Sequence, residues 1–100
     1  MKLNKLNSME TYPTIKYIEP LSDYRLFVIF DNGVIKVYSM KEKLQSPAFQ
    51  PLQDIALFNQ AHAASGGYGV VWNDRIDLSE FELWKNGVEI SSVEKLVSRV

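Results

Sequence analysis

The sequence predicts a small single α+β domain, built from two antiparallel β-hairpins with short helices packed on the sheet. Runs of β-branched and aromatic residues flank Asn32-Gly33, the residue pair most typical of a tight hairpin turn. Similar runs flank Asn73-Asp74, and the segments between and after the hairpins place apolar residues at helical spacing. A chain of 100 residues has the length of one domain with one core.

The first hairpin is predicted from a strand over Tyr24 to Phe30 and a returning strand over Val34 to Tyr38. A two-residue type I′ turn would place Phe30 opposite Ile35. In this register, one face of the hairpin would be entirely apolar, and the other face would carry both apolar and charged residues. The core side would carry Leu26, Val28, Phe30, Ile35 and Val37; the other would carry Arg25, Phe27, Ile29, Lys36 and Tyr38.

The second hairpin is predicted to turn at Asn73-Asp74. A two-residue turn there would place Trp72 opposite Arg75, both directed away from the core. The preceding Gly66-Gly67 pair is best explained by a turn that needs positive φ, because a phosphate-binding loop would also need a lysine and a following helix.

Four short helices are expected. Capping residues and apolar spacing predict helices over 39–44 and 52–59, and a third from Asp77 or Ser79 to Asn86, ended by a left-handed Gly87. A Ser-x-x-Glu capping box precedes the last one, over 92–100. Residues 1–12 are polar and aperiodic and are predicted to be a flexible N-terminal leader, so the domain proper is 13–100.

The amino-acid composition argues against some classes of function and favours one cellular compartment. Eleven basic and twelve acidic side chains give a net charge of −1, which argues against a nucleic-acid partner because binders of phosphate backbones usually carry a basic excess. The absence of cysteine favours a reducing, cytoplasmic compartment. No apolar run is long enough for a membrane span, and the N-terminus lacks the apolar segment of a signal peptide.

No catalytic, cofactor-binding or metal-binding residue is expected. His62 is the single histidine and has no acidic neighbour in sequence that would orient it. The densest acidic stretch runs from Asp74 to Glu82, and its members suit a turn, a helix cap and a helix dipole. Carboxylate-based enzyme chemistry around Asp74 and Asp77 stays open as an alternative.

Several motifs resemble one family. They are IEPL at 18–21, YRL at 24–26, FDNG at 30–33, PL at 51–52, LF at 57–58, GGYGVVWNDRIDLS at 66–79 and ELWKNG at 82–87. Together they are similar to the small bacterial family known as domain of unknown function 2442, over a core of residues 15–87. The tail from Val88 onward lies outside the resemblance.

The resemblance implies a compact α+β domain of the bacterial cytosol without assigned catalytic residues. It also implies, from gene neighbourhood, a role for some members as partners in toxin–antitoxin pairs. Some relatives carry an added helix-turn-helix domain for DNA, for which this sequence leaves no room, and this too argues against a DNA role.

These observations predict a non-enzymatic protein-interaction module that has a protein partner or associates with itself, with no cofactor. The sequence does not identify a small-molecule ligand. A weak nucleic-acid-binding module is a further alternative. Apolar and aromatic residues left over from the predicted core define the predicted interaction surface. Its members are Phe27, Ile29, Tyr38, Tyr68, Trp72 and Arg75.

Overall fold

The computed structural model describes residues 12–91 and has the predicted α+β architecture. Its strands are β1 (Ile15–Leu21), β2 (Arg25–Phe30), β3 (Ile35–Ser39), β4 (His62–Ala63), β5 (Gly69–Val71), β6 (Asp77–Ser79) and β7 (Val88–Ile90). Its α-helices are α1 (Ile55–Phe58) and α2 (Glu80–Asn86), and short 3₁₀ helices cover Lys43–Gln45, Gln50–Gln53 and Ser65–Gly67. The predicted terminal helix over 92–100 and nearly all of the predicted leader lie outside the described residues.

The strands form two antiparallel sheets. The larger has the order β1-β2-β3-β7, and the smaller has the order β4-β5-β6. Both predicted hairpins are present, as β2-β3 and β5-β6. The sequence did not predict β7, which returns after α2 to pair with β3 and lies beyond the predicted family-like core of 15–87.

The predicted register of the first hairpin is wrong by one residue. Phe30 N–H donates to Val34 O at 2.9 Å, which leaves a three-residue loop in which Gly33 alone takes a positive φ, of 89°. Ile35 therefore lies opposite Ile29. An Asn-Gly pair suits this longer loop as well as the two-residue turn, because both need a glycine in the left-handed region. Asn32 stabilises the loop by accepting from Val34 N–H at 3.0 Å.

The second hairpin shows the same one-residue difference. Trp72 N–H donates to Ile76 O at 3.0 Å, so the loop is Asn73 to Arg75 and Trp72 faces Ile76 rather than Arg75. The side-chain oxygen of Asn73 accepts from the N–H groups of Arg75 and Ile76, each at 2.9 Å. These two hydrogen bonds stabilise the three-residue loop. The sequence alone does not distinguish this loop from a two-residue turn.

The shifted registers decide which residues form the core. Cross-strand partners share a face, so Tyr38 joins Leu26 on the inner face of the larger sheet. Trp72 likewise joins Val70 on the inner side of the smaller sheet. The core lies between these inner faces and the helices. Its largest fully buried side chains are Phe30, Phe58, Leu26, Met40, Leu52, Leu83, Val28 and Val70.

The helices differ from the prediction mainly in length. The segment 39–44 forms only the 3₁₀ turn Lys43–Gln45, and 52–59 is divided into Gln50–Gln53 and α1. Asp54 caps α1 by accepting from Ala56 N–H at 3.0 Å. Of the two predicted caps for α2, Ser79 is correct, since it accepts from Glu82 N–H at 3.2 Å. Gly87 ends α2 with φ −73°, so the predicted left-handed conformation is wrong.

Candidate interaction surface

The outer face of the larger sheet is apolar although it points away from the core. A bulge at Lys16 turns Tyr17 outward while Ile15 points inward. The apolar side chains of this outer face are Tyr17, Leu21, Phe27, Ile29, Ile35, Val37, Val88 and Ile90. None of them belongs to the core cluster between the two sheets.

Exposure varies across the outer face. Phe27 on the central strand β2 is 7% exposed, and Ile90 on the edge strand β7 is 9% exposed. Two large apolar side chains on the edge strands are open to solvent: Tyr17 on β1 is 46% exposed and Val88 on β7 is 66% exposed. Tyr17 and Val88 are therefore the most accessible apolar side chains of this face.

The structure divides the predicted interaction surface. Phe27 and Ile29 lie on the outer face, as predicted. Tyr38 does not, because the shifted register turns it inward, where it is 6% exposed and part of the core. Ile35 and Val37 were predicted to be core residues, but in the observed register they lie opposite Ile29 and Phe27 on the outer face. A continuous apolar outer face across β2 and β3 is thus the signal that could have indicated the observed register.

The remaining predicted surface residues belong to the smaller sheet and its loops. Trp72 is 2% exposed, and its Nε1–H donates to Phe58 O at 3.1 Å, so its predicted position on the surface is wrong. Tyr68 is 66% exposed and Arg75 is also exposed. Those two residues are accessible, but they are not part of the outer face.

A polar cluster that the sequence did not predict joins β3 to α2. Tyr38 Oη–H donates to Glu82 Oε2 at 2.7 Å, and Asn86 Nδ2–H donates to the same oxygen at 3.0 Å. Lys43 Nζ lies 3.8 Å from it. A cavity of about 350 Å³ opens beside the cluster and is lined by Tyr38, Ser39, Glu42, Lys43, Glu82 and Asn86.

The cluster shifts the pKa of both central groups. Burial, followed by the hydrogen bond to Glu82, raises the pKa of Tyr38 above its usual value. The hydrogen bond from Tyr38 lowers the pKa of Glu82, with smaller lowering contributions from Asn86 and Lys43 and an opposing one from burial. Tyr38 therefore stays a neutral donor and Glu82 a charged acceptor around neutral pH.

Replacing Tyr38 by phenylalanine should reduce stability most at neutral pH. The pKa of Glu82 is lower in the folded protein than in the unfolded chain, so the ionised carboxylate stabilises the fold. This stabilisation is fully present above the pKa of the unfolded chain, and it is lost as pH falls through the pKa of the folded protein. We expect Tyr38→Phe to lower the free energy of unfolding by about 1–2 kcal/mol at about pH 7. The difference should begin to shrink as pH falls below about 4, and it should be smallest below the lowered pKa of Glu82, where the carboxylate is protonated in both proteins.

Urea unfolding at several pH values measures this difference. Tyr17→Phe is the matched control, because Tyr17 Oη–H also donates to a carboxylate, that of Glu19 at 2.5 Å, but on an exposed surface. We expect the control to change stability by less than about 0.5 kcal/mol. A Tyr38→Phe loss that is the same at every pH would contradict the assigned role of Glu82.

The residues considered for other chemistry are spread over separate elements. Asp74 is exposed in the second hairpin loop, Asp77 is exposed on β6, and Glu80 begins α2. His62 is exposed on the edge strand β4. Within residues 12–91, no three histidine or carboxylate side chains lie together as metal ligands would. In the same range, no helix combines the length and apolarity that crossing a membrane requires.

A solved structure shares this fold. It is that of a candidate DNA-binding protein from Nitrosomonas europaea, with a TM-score of 0.65 and 23% sequence identity. The match covers 73% of this chain and 47% of the other, so this chain spans about half the length of that protein. A comparison with curated proteins gives no match.

This similarity corrects one expectation. The charge balance and the resemblance both argued against a nucleic-acid partner. A protein with this fold nevertheless carries a name that refers to DNA binding, so the exclusion of nucleic acid is contradicted and is withdrawn.

A family model matches residues 15–89, described as a protein of unknown function, DUF2442. The match agrees with the resemblance found in the sequence and extends it by two residues into β7. It contains both hairpins, α2 and most of β7. This chain therefore belongs to the DUF2442 family.

Proposed function

We propose that this chain is a non-enzymatic protein-interaction domain and that it serves as one member of a toxin–antitoxin-like pair. The observation that carries the proposal is the apolar outer face of the larger sheet, with Tyr17 and Val88 exposed at its margins. A domain needs only one face of a sheet for its core, and exposed apolar surface marks sites of protein association.

The type of side chain at the margins supports the same proposal. Tyrosine is enriched at protein interfaces, because its ring contributes a large contact area while its hydroxyl tolerates water in the unbound state. Tyr17 has this arrangement: its ring lies edge-on to Phe27 with 6.1 Å between centroids, and its hydroxyl donates to Glu19. The ring is thus held in place before a partner arrives, which reduces the entropy lost on binding.

Co-expression with the product of the adjacent gene, followed by quantitative binding of the purified pair, tests the proposal. We expect Tyr17→Lys to weaken binding by about tenfold or more, since burying a lysine in an apolar contact is costly. Tyr68→Lys is the matched control, because Tyr68 is also an exposed tyrosine but lies away from the outer face. We expect it to bind as the unmodified chain does.

Two results would contradict this proposal. No complex with the adjacent gene product would remove the toxin–antitoxin-like assignment. If Tyr68→Lys weakened binding and Tyr17→Lys did not, the contact would lie around Tyr68 and Arg75 instead. Sedimentation of the chain alone over a range of concentrations tests whether a second copy occupies the outer face.

Nucleic-acid binding is a second candidate function, favoured by the fold shared with the Nitrosomonas europaea protein. Titration of the chain into fluorescently labelled duplex DNA tests it. Binding that weakens steeply as salt rises would support this function, because contacts to phosphates release counterions. No change in anisotropy at low salt, up to about 100 μM protein, would argue against it, since even non-specific binders reach that affinity.

A further inference from the structure

The two edges of the larger sheet differ in accessibility. At the β1 edge, Gly67 lies against the backbone of Ile15: an ideal Cβ on Gly67 would be 2.4 Å from Ile15 O. Strand β4 also lies close to β1. At the other edge, β7 pairs with β3 on one side, and no other strand among residues 12–91 pairs with it on the other. In the described part of the chain, β7 is therefore the open edge.

An open edge presents backbone groups that a further strand can use. In an antiparallel pair, the N–H and C=O groups of a strand point alternately toward and away from its neighbour. Some of those of β7 must therefore point away from β3. Proteins often protect such edges with charged side chains, and β7 carries a charge, Glu89, between two apolar residues.

The pattern along β7 continues the pattern of β3. Val88 pairs with Val37 and Ile90 with Ile35, all four on the outer face. On the opposite face, Glu89 pairs with Lys36. A strand added beside β7 would extend both patterns, with apolar residues on the outer face and a polar residue next to Glu89.

The charge of Glu89 is not matched by Lys36. The Lys36 ammonium donates to the carbonyl oxygen of Trp84 and lies over the Trp84 ring, 4.1 Å from its centroid. The ion pairs found within residues 12–91 are Lys41–Asp23 and Lys43–Glu82, and neither includes the exposed Glu89. A basic side chain on an added strand would place a positive charge opposite Glu89.

A second copy of this chain does not fit the edge. Symmetric antiparallel pairing that aligns the full length of two β7 strands centres on Glu89. That pairing would place two glutamates directly opposite each other, which is destabilising. The occupant should thus be a different polypeptide.

We propose that β7 is a strand-addition site for a partner polypeptide whose strand has the pattern apolar–basic–apolar. The basic residue would lie opposite Glu89, and the apolar residues would extend the outer face beside Val88 and Ile90. This proposal rests on the proposed function, because it specifies how a protein partner of the outer face is held.

The experiment uses the full chain, labelled with ¹⁵N, and three synthetic peptides. The first is Thr-Thr-Val-Lys-Val-Thr-Thr, the second has glutamate in place of the lysine, and the third is the lysine peptide with every backbone amide N-methylated. We expect the lysine peptide to shift the amide resonances of Val88, Glu89 and Ile90. At low salt it should bind about fivefold more tightly than the glutamate peptide, because the cross-strand charge pair is opposite in sign.

A charge swap provides the decisive control. In Glu89→Lys, we expect the glutamate peptide to become the tighter ligand, which a purely structural effect of residue 89 would not cause. The N-methylated peptide should not bind, because it lacks the donors for strand pairing. Peptide shifts that fall elsewhere, no binding at millimolar concentration, or a preference unchanged by Glu89→Lys would each overturn the proposal.

Two other occupants are tested without peptide. Concentration-dependent shifts at β7 would show that a second copy pairs there, and slow hydrogen exchange at the outward amides of β7 would show that the chain covers its own edge. Either result overturns the proposal. The adjacent gene product could bind, and Tyr17→Lys could weaken that binding, while none of the peptides binds. In that case the proposed function stands and only the strand-addition site is lost.

Discussion

Replacing Trp72 by alanine is expected to lower the free energy of unfolding by about 3–5 kcal/mol, the range for deleting a large buried aromatic side chain. Trp72 is 2% exposed and lies in the core cluster beside Phe58, with 6.3 Å between ring centroids. The substitution leaves a cavity that its neighbours fill only partly. It also removes the Nε1–H that donates to Phe58 O.

Urea denaturation of the two proteins measures the difference. Total stabilities of small domains are about 5–15 kcal/mol, so Trp72→Ala could leave too little folded protein to measure. Trp72→Phe keeps most of the volume, and we expect a smaller loss of about 1–2 kcal/mol. The control is Tyr68→Ala, an exposed aromatic four residues earlier that should change stability by less than about 0.5 kcal/mol. Equal effects at Trp72 and Tyr68 would mean that Trp72 is not in the core.

The contrast between Trp72 and Tyr68 shows what the sequence could predict. The existence of both hairpins followed from local turn chemistry, because Asn-Gly and Asn-Asp pairs between β-rich runs favour a reversal of the chain. The register did not follow, since Asn32 and Asn73 each use a side-chain oxygen to stabilise a three-residue loop. One residue of difference then moved Tyr38 and Trp72 from the predicted surface into the core.

Features that depend on distant residues were not predicted. Strand β7 has three residues and pairs with β3 across more than fifty residues of sequence, so no local turn signal announces it. The bond between Tyr38 and Glu82 likewise joins residues 44 positions apart. Phe27 and Ile29 were placed correctly because alternation along one strand fixes which residues share a face. The apolar outer face was therefore predictable in part, and its continuation onto β7 was not.

Replacing Gly67 by alanine should be among the most destabilising single substitutions in the chain, costing about 2–5 kcal/mol from two causes that add. Gly67 has a φ of 78°, where any residue with a Cβ is strained by about 1–2 kcal/mol. It also lies against β1, so that an added Cβ would be 2.4 Å from Ile15 O and 2.9 Å from Ile15 N. Both are backbone atoms of a paired strand and cannot move aside as a side chain could, so a further overpacking cost of about 1–3 kcal/mol applies.

Gly33 separates the two causes, because it shares the positive φ of Gly67 without the contact. Its φ is 89°, and an added Cβ would have no atom within 4 Å. Gly33→Ala should therefore show only the backbone cost, about 1 kcal/mol. Urea unfolding of both variants gives the difference, and equal losses would mean that Gly67 does not lie against Ile15. Since that contact closes the β1 edge of the larger sheet, Gly67→Ala should also speed hydrogen exchange at the amide of Ile15, whereas Gly33→Ala should not, because loss of a contact exposes only the backbone beside it.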